Sequence, residues 1–378
     1  MRASPAPLSL EVSRASTRAP RLISVATTVP GHRVDQRNAK AFVSALFAGA
    51  LDGDGRRLLE VFDHSGVECR QICMPLEWYA VPHRFKEAND LYLEHALELA
   101  AEVTNQALRN AALEPRDIDH LVFISSTGVA TPSLDARLAN RVGFRSDFKR
   151  TPIWGLGCAG GAVGLSRARD FALADPNARV LVIALELCSL TFQHGDLDRR
   201  NLVACSLFSD GAAAAVVAGS RVDLAGAATP CSIELLASRS TLWPDTLDVM
   251  GWDVDESGLH VVFSRDIPSI VRRWVRSNLE SFLTDQGLTL DRLAHVIAHP
   301  GGPKVLAAYA DSLGLGPAAF RHAREVLRSA GNMSSPTCLF VLERAIQAGD
   351  LHPGDLAVVA ALGPGFSSEV VLVRAAAP

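Results

Sequence analysis

Apolar positions along the chain come in two rhythms. Short, nearly unbroken apolar runs occur at Leu22–Val25, His120–Ser125, Val180–Ala184, Ala213–Val217, His295–Ile297 and Leu356–Ala360. Runs of that length predict strands, several of them covered on both faces. Between them, apolar residues recur at helical spacing over Asp90–Ala112, Ala162–Ala174, Ile267–Leu283 and Pro336–Ala348. The alternation predicts an α/β architecture in which helices cover sheet.

The pattern also repeats. Asp117-Ile-Asp-His-Leu-Val-Phe-Ile-Ser125 resembles Asp291-Arg-Leu-Ala-His-Val-Ile-Ala-His299: an acidic turn, a histidine, then an apolar strand. A turn of small residues that opens a helix follows each, Gly155–Gly161 in one half and Gly331–Ser335 in the other. Each half closes on a further turn and strand, at Ser209–Val217 and Gly363–Val371. Two copies of one α/β unit are expected, with a seam near residues 219–231. The corresponding division is a disordered N-terminus over residues 1–20, a first half over 21–225 and a second over 226–378. The arginines Arg2, Arg14, Arg18 and Arg21 give the N-terminus the look of a transit peptide, but it has no apolar core of the secretory kind.

Charge and cysteine usage narrow the class. Thirty-seven Lys and Arg against 41 Asp and Glu leave a net charge of −4, which gives no electrostatic reason to expect nucleic acid as partner. No apolar run approaches a membrane span. Seven cysteines in 378 residues make no disulfide framework, so reduced thiols and a cytoplasmic location are expected. Cys69 and Cys73 lie near His64, but no second pair completes a metal site; they read as two core-facing residues of a helix. Cys188, Cys205 and Cys231 read as inert core residues.

Three residues stand out chemically. Cys158 sits among glycines at a helix start, where unpaired N–H groups favour thiolate over thiol. His299 ends a strand and runs into Pro300-Gly-Gly-Pro303, a rigid turn at the edge of a cleft. Asn332 occupies the equivalent helix start of the second half, a position that by itself suits a helix cap. In a two-fold arrangement these ends converge on one site. A thiolate there can accept an acyl group, and imidazole and amide N–H groups can hold the enolate formed when a malonyl thioester loses carbon dioxide. No metal or redox cofactor is needed.

Gly157-Cys-Ala-Gly-Gly161, Leu207-Phe-Ser-Asp-Gly-Ala-Ala-Ala214, His299-Pro-Gly-Gly-Pro303, Gly331-Asn-Met-Ser-Ser335 and Gly363-Pro-Gly-Phe366 together resemble the type III polyketide synthases, the chalcone synthase group. The motifs keep the family's order across roughly residues 20–375. The resemblance implies a thiolase fold of two pseudo-symmetric halves in αβαβα layers, a homodimer, and a catalytic triad of Cys158, His299 and Asn332. It implies Phe208 as a gatekeeper at the mouth of a coenzyme A tunnel. It further implies substrate contacts at Ser126, Thr127, Cys188, Thr191, Val261, Gly365 and Phe366, and coenzyme A contacts at Arg57 and Lys304. Acyl-CoA and malonyl-CoA would be the substrates, with a carrier protein as a possible acyl donor.

Several positions depart from the plant pattern. Val261 stands for a second gatekeeping phenylalanine, Cys188 stands for a cavity threonine while Thr191 is kept, and Ala361-Leu-Gly-Pro-Gly365 differs from Gly-Phe-Gly-Pro-Gly at two places. Met250-Gly-Trp-Asp253 and Phe263-Ser-Arg-Asp-Ile-Pro268 resemble the bacterial alkylresorcinol and alkylpyrone synthases, which take long fatty acyl starters in an extra tunnel. Trp252 is placed to fill part of such a cavity. The implied reaction is acylation of Cys158, two or three malonyl extensions, and closure to an alkylpyrone or alkylresorcinol.

Three other readings compete. Gly155-Leu-Gly-Cys-Ala-Gly160 is a literal G-x-G-x-x-G, and Glu186 ends the next strand as a ribose-binding acid would, so an NAD-dependent oxidoreductase fits this segment. Against it, Arg150-Thr-Pro-Ile-Trp154 makes a poor buried strand before the glycines. An acetyl-CoA-primed ketoacyl synthase uses the same three residue types. A non-catalytic acyl-binding relative would have lost one of them, and all three are present.

Overall fold

The computed structural model describes residues 19–48, 58–224 and 232–376. Residues 1–18 of the expected disordered N-terminus, Cys231 and the candidate coenzyme A contact Arg57 lie outside the described residues. Strands of the first half are β1 (Arg21–Thr28), β2 (His32–Asp35), β3 (Cys69–Ile72), β4 (His120–Ile124), β5 (Lys149–Ile153), β6 (Arg179–Leu187) and β7 (Asp210–Ala218). Those of the second are β8 (Ser232–Leu242), β9 (Met250–Asp255), β10 (Gly258–Phe263), β11 (Leu293–Ala298), β12 (Leu356–Gly363) and β13 (Ser367–Ala376). The helices that matter below are α1 (Gln36–Leu46), α2 (Phe85–Asn110), α3 (Gly160–Ala174), α4 (Arg199–Leu207), α5 (Ile267–Asp285), α6 (Pro303–Leu313) and α7 (Thr337–Gln347).

Nine strands share one sheet in the order β11-β12-β13-β8-β1-β7-β6-β4-β5. Read outward from its middle, it is one pattern written twice. β1 pairs antiparallel with β7, β7 antiparallel with β6, and β6 parallel with β4. β8 pairs antiparallel with β13, β13 antiparallel with β12, and β12 parallel with β11. The strands that look alike in sequence, β4 with β11 and β7 with β13, thus hold equivalent places. The halves are joined edge to edge through Arg21↔Glu234 and Leu22↔Ile233.

Burial on both faces explains the unbroken apolar runs. In β6, Val180, Val182 and Ala184 pack with α3, while Leu181, Ile183 and Leu185 pack with α2, the alternation a pleated strand imposes. Helix α2 begins at Phe85 rather than Asp90, because Lys86, Glu87 and Asn89 hide the apolar period in its first turns. β5 forms on the edge of the sheet, where Pro152 removes no ladder hydrogen bond from a central strand. Cys69 lies on strand β3 and Cys73 just beyond it, so the helical pair expected of them is not formed. A four-residue segment cannot distinguish the two periods, and pairing with β2 settles it as strand.

Helices α3 and α7 lie between the half-sheets, α2 covers one outer face, and α5 covers the other with α6 against it. The central contact needs glycine. A Cβ on Gly160 would fall 2.5 Å from Ile124 Cγ2 and 2.9 Å from Ser335 Cβ. On Gly161 it would fall 2.4 Å from the Ser335 carbonyl oxygen and 2.6 Å from Cys338 Sγ. The helix bearing the candidate nucleophile is thereby pressed onto the turn that bears Asn332.

Candidate active site

Cys158 occupies the single turn Gly157–Ala159 that leads into α3. Gly157 has φ +43°, a left-handed conformation that glycine tolerates. Ser126 holds the turn from below: its Oγ accepts from Gly155 N at 3.1 Å and Gly157 N at 3.3 Å. Ser126 lines neither cavity described below; the contacts it makes are with the turn and with Glu186. Gly363 closes on the other side, with no room for a Cβ against the Leu156 carbonyl and Ala159.

Asn332 arrives from the second half. Its backbone pairs with the segment after α4: Asn332 N donates to Leu207 O at 2.9 Å and Ser209 N donates to Asn332 O at 2.9 Å, a parallel bridge opposite Phe208. The side-chain Oδ1 accepts from Ser334 N at 2.9 Å, which fixes the amide and leaves Nδ2 to donate elsewhere. Ser334 in turn stands 3.5 Å from Cys158 Sγ through its Oγ. Cys158 and Asn332 are therefore linked through one serine. His299 follows β11, with its N–H donated to Ala360 O at 2.9 Å on β12. It is buried, and neither ring nitrogen has a hydrogen-bond partner among the described residues. Two unsatisfied nitrogens in an enclosed ring cost free energy and mark a group kept for something that binds.

Burial dominates the electrostatics. It pushes the Cys158 thiol up to about 12, assisted by the Glu186 carboxylate and opposed by the Ser334 hydrogen bond. The thiolate expected from a helix start is not favoured in the isolated group, because burial excludes the solvent that would stabilise it. Burial likewise pushes His299 down to about 3. Glu186 is fully enclosed, its Oε2 accepting from Ser126 N at 2.8 Å and Thr127 Oγ1 at 2.9 Å. A carboxylate sealed in this way cannot receive a ribose, which removes the dinucleotide reading of the glycine motif.

A largely apolar cavity begins at Phe208 and Cys188 and runs under α1, with about 720 Å³ of empty space, the open solvent at its mouth included. Thr191, Val261 and Trp252 also line it, and Val261 and Trp252 are cross-strand partners on β10 and β9. The Phe208 ring lies 5.6 Å from that of Phe263, which shares a strand face with Val261. Thr127 lines a second, more polar cavity that also touches Thr191.

Other expected contacts fall elsewhere. Phe366 is fully buried against Trp243 and Trp274, with ring centres at 5.4 and 6.1 Å, and belongs to the core. Gly365 takes part in the turn that presents it, its N–H donated to Met250 O at 3.1 Å. A glycine–aromatic motif alone does not say whether the ring points to core or cleft. Lys304 is exposed on the first turn of α6.

Sequence reasoning missed the cavity's far wall. Arg70 is buried there and clamps the end of α4: Nη1 donates to Phe208 O at 3.0 Å and to Cys205 O, and Nη2 to Ser206 O at 2.7 Å and to Gln36 Oε1. Helix-terminal carbonyls lack intrahelical partners, and the guanidinium supplies them. An isolated arginine in a strand carries no signal for this.

The chain matches the chalcone and stilbene synthases in two parts, the N-terminal domain over residues 13–221 and the C-terminal domain over 234–377. It is 43% identical over 352 residues to a 1,3,6,8-tetrahydroxynaphthalene synthase of Streptomyces peucetius, covering 93% of this chain and 92% of that protein. It is 40% identical over 356 residues to a putative chalcone synthase of Bacillus subtilis, covering 93% and 97%. The crystal structure of 1,3,6,8-tetrahydroxynaphthalene synthase from Streptomyces coelicolor superposes with TM-score 0.88 at 30% identity, covering 94% of this chain and 99% of that one. With its thiolase-like fold and both family domains spanned, the chain belongs to the chalcone and stilbene synthase family, the type III polyketide synthases, acyltransferases that condense malonyl-CoA iteratively.

Proposed function

We propose that Cys158 is the acylated nucleophile and that His299 and Asn332 hold the enolate formed by decarboxylation of malonyl-CoA. The observations that support this reading most are the chain from Cys158 Sγ to Ser334 Oγ and from Ser334 N to Asn332 Oδ1, and a buried histidine whose two ring nitrogens are unused. A lone thiolate or imidazolium is costly in this enclosure. A proton passed from Cys158 to His299 creates both charges together, and their attraction at low dielectric offsets much of the cost. The imidazolium N–H and the Asn332 amide then face the thioester oxygen, where negative charge develops as carbon dioxide leaves. The enolate carbon attacks the acyl carbon on Cys158, and the sulfur departs as thiolate.

The starter in this reading is a fatty acyl group. Its support is the apolar cavity behind Phe208, where Val261 takes less space than a phenylalanine and Cys188 offers no strong hydrogen bond. Trp252 bounds the chain length. The product is an alkylpyrone or an alkylresorcinol, formed after two or three extensions. The first half, residues 21–225, supplies the nucleophile, and the second, 226–378, supplies His299 and Asn332. Lys304 contributes to coenzyme A binding. A homodimer is part of the proposal; exposed Val129 and Trp154, joined by Trp154 Nε1 donating to Gly128 O at 3.1 Å, form an apolar patch suited to a second copy.

Incubation with malonyl-CoA and acyl-CoAs from acetyl to stearoyl, read by mass spectrometry, tests both claims. Alkyl products peaking at lauroyl to stearoyl starters are expected. Products from short starters alone would discard the acyl cavity, and product formation by Cys158→Ala would discard the nucleophile.

A further inference from the structure

Beside the cavity lies a buried chain of hydroxyl groups that the triad chemistry does not use. Tyr79, in the turn after β3, and Ser189, in the turn after β6, both line the cavity. Tyr79 Oη donates to Ser189 Oγ at 2.7 Å, and Ser189 Oγ donates to Asp210 Oδ2 at the start of β7. Asp210 is fully buried and is held by further N–H donors, Ser189 N to Oδ1 at 2.7 Å and Cys73 N to Oδ2 at 2.8 Å. No ion pair to it occurs among the described residues. The result is a carboxylate connected to the cavity wall by two hydroxyl groups, each already oriented to pass a proton inward.

Decarboxylation of malonyl-CoA generates its own enolate and needs no base. Closing a carbon ring does: a methylene between two carbonyls must lose a proton before its carbon can attack. Closure through oxygen, to a lactone, needs no such base on the protein. We propose that Tyr79, Ser189 and Asp210 form a proton relay that deprotonates the bound poly-β-keto chain, so that this enzyme closes a carbon ring. The inference rests on the reading of Cys158, His299 and Asn332 given above and adds the ring-closing residues.

The step balances. The methylene proton goes to Tyr79 Oη, the Tyr79 proton to Ser189 Oγ, and the Ser189 proton to Asp210 Oδ2. The electron pair of the C–H bond becomes the enolate, whose carbon bonds to a ketone carbon further along the chain. The ketone π pair moves onto its oxygen. That oxygen takes the proton back from Tyr79 as Asp210 returns its own through Ser189. Aromatisation then proceeds by loss of water. Oriented hydroxyl groups ending in a carboxylate are a workable general base.

Burial raises the Asp210 carboxyl to about 6, which makes it a better proton acceptor than an ordinary aspartate and still ionised at neutral pH. Cys73, Tyr79 and Cys188 interact with its charge, and Arg70 is the cation that does so. Burial holds the thiols and the phenol well above neutrality, so Asp210 is the member of this group that titrates near neutral pH.

The test uses the full chain with malonyl-CoA and hexanoyl-CoA, comparing wild type with Tyr79→Phe, Ser189→Ala and Asp210→Asn. Acylation of Cys158, read by intact mass, and carbon dioxide release are measured separately from products. In Tyr79→Phe and Ser189→Ala the ratio of carbon-ring to lactone products, counted per carbon dioxide released, is expected to fall about tenfold or more. In wild type that ratio should fall as pH drops from about 7 to 5, as Asp210 takes up its proton. Asp210→Asn, which keeps the shape of the side chain, should lose the pH dependence. An unchanged product ratio in Tyr79→Phe and Ser189→Ala, or wild type yielding lactones alone at every pH, overturns the relay. Wild type that neither acylates Cys158 nor releases carbon dioxide overturns the parent reading first, and the relay with it.

Discussion

Cys158 and Ser334 meet across the two halves of the molecule, Sγ to Oγ at 3.5 Å, although 176 residues separate them in the chain. The same serine fixes the Asn332 amide through its N–H, so one residue aligns the thiol of one half with the amide of the other. Ser334 has φ +60°, a left-handed conformation uncommon outside glycine, asparagine and aspartate. A strained residue retained at a junction between two functional groups points to positioning.

The first expectation concerns the thiol. Ser334→Ala removes a hydrogen bond that lowers the pKa of Cys158 and is expected to slow its alkylation by iodoacetamide a few-fold. His299→Ala removes the proton acceptor of the proposed ion pair and leaves burial unopposed. Alkylation at neutral pH should then drop by about tenfold or more and recover only at alkaline pH. Equal alkylation rates in wild type and His299→Ala would break the pairing.

Glu186 gives a stability expectation with a definite sign. Burial raises its carboxyl to about 7 from the ordinary value near 4.5. Between those values the folded protein holds more protons than the unfolded chain, so its contribution to stability falls as pH rises. Relative to Glu186→Gln, wild type should gain on the order of 3 kcal/mol as pH drops through that window. Urea midpoints of both proteins across the same pH range measure it, and parallel curves would contradict the assignment.

At the central contact, Gly161→Ala would drive a Cβ against the backbone oxygen of Ser335. Overpacking of this kind costs about 1–3 kcal/mol, and here it should also displace Asn332 and reduce turnover. Gly251→Ala, with nothing within 4 Å of its would-be Cβ, should leave both unchanged. Thermal melts and product yield on the two variants separate the cases.

Arg70→Met takes the guanidinium from the Cys205, Ser206 and Phe208 carbonyls and from Gln36 Oε1, and of these the Ser206 carbonyl keeps a second donor, Gln36 Nε2. A buried acceptor left without a donor typically costs about 1–3 kcal/mol, and the Leu207–Ser209 segment that pairs with Asn332 loses its anchor. A lower urea midpoint with impaired carbon dioxide release is expected. Arg70→Lys should recover part of the stability, since an ammonium can reach some of the same carbonyls but cannot bridge all of them.

Legibility in the sequence follows how local each signal is. β4 and β11 are readable because each joins an acidic turn to a short apolar run, and their equivalence survives as a visible repeat. The glycine turn of Cys158, the His299 strand end and the Asn332 turn are readable because each is a compact motif. β5 is hard to read, because an edge strand containing Pro152 carries neither the alternation nor the apolar run of a buried one. The cavity wall is harder still. Val34, Phe42, Arg70 and Tyr79 lie in different elements and come together only through the pairing of β2 with β3 and the docking of α1 on α4. Nothing in their immediate neighbours announces that. Phe366 shows the converse: it sits in a compact motif, yet its ring belongs to the core.

The missing Cβ atoms at Gly160 and Gly161 let α3 close onto Ser335 and Cys338 of the other half, and that at Gly164 lets it close onto Val182 of β6. The halves thus meet without a gap at the centre, whereas the cavity is roofed by parts outside the nine-stranded sheet, the two-stranded β9–β10 ribbon and helix α1. Traffic of acyl chains in and rings out would pass through that roof. Substitution at Trp252 or Val261, which line it, would reshape it without disturbing the alignment of thiol and amide beneath.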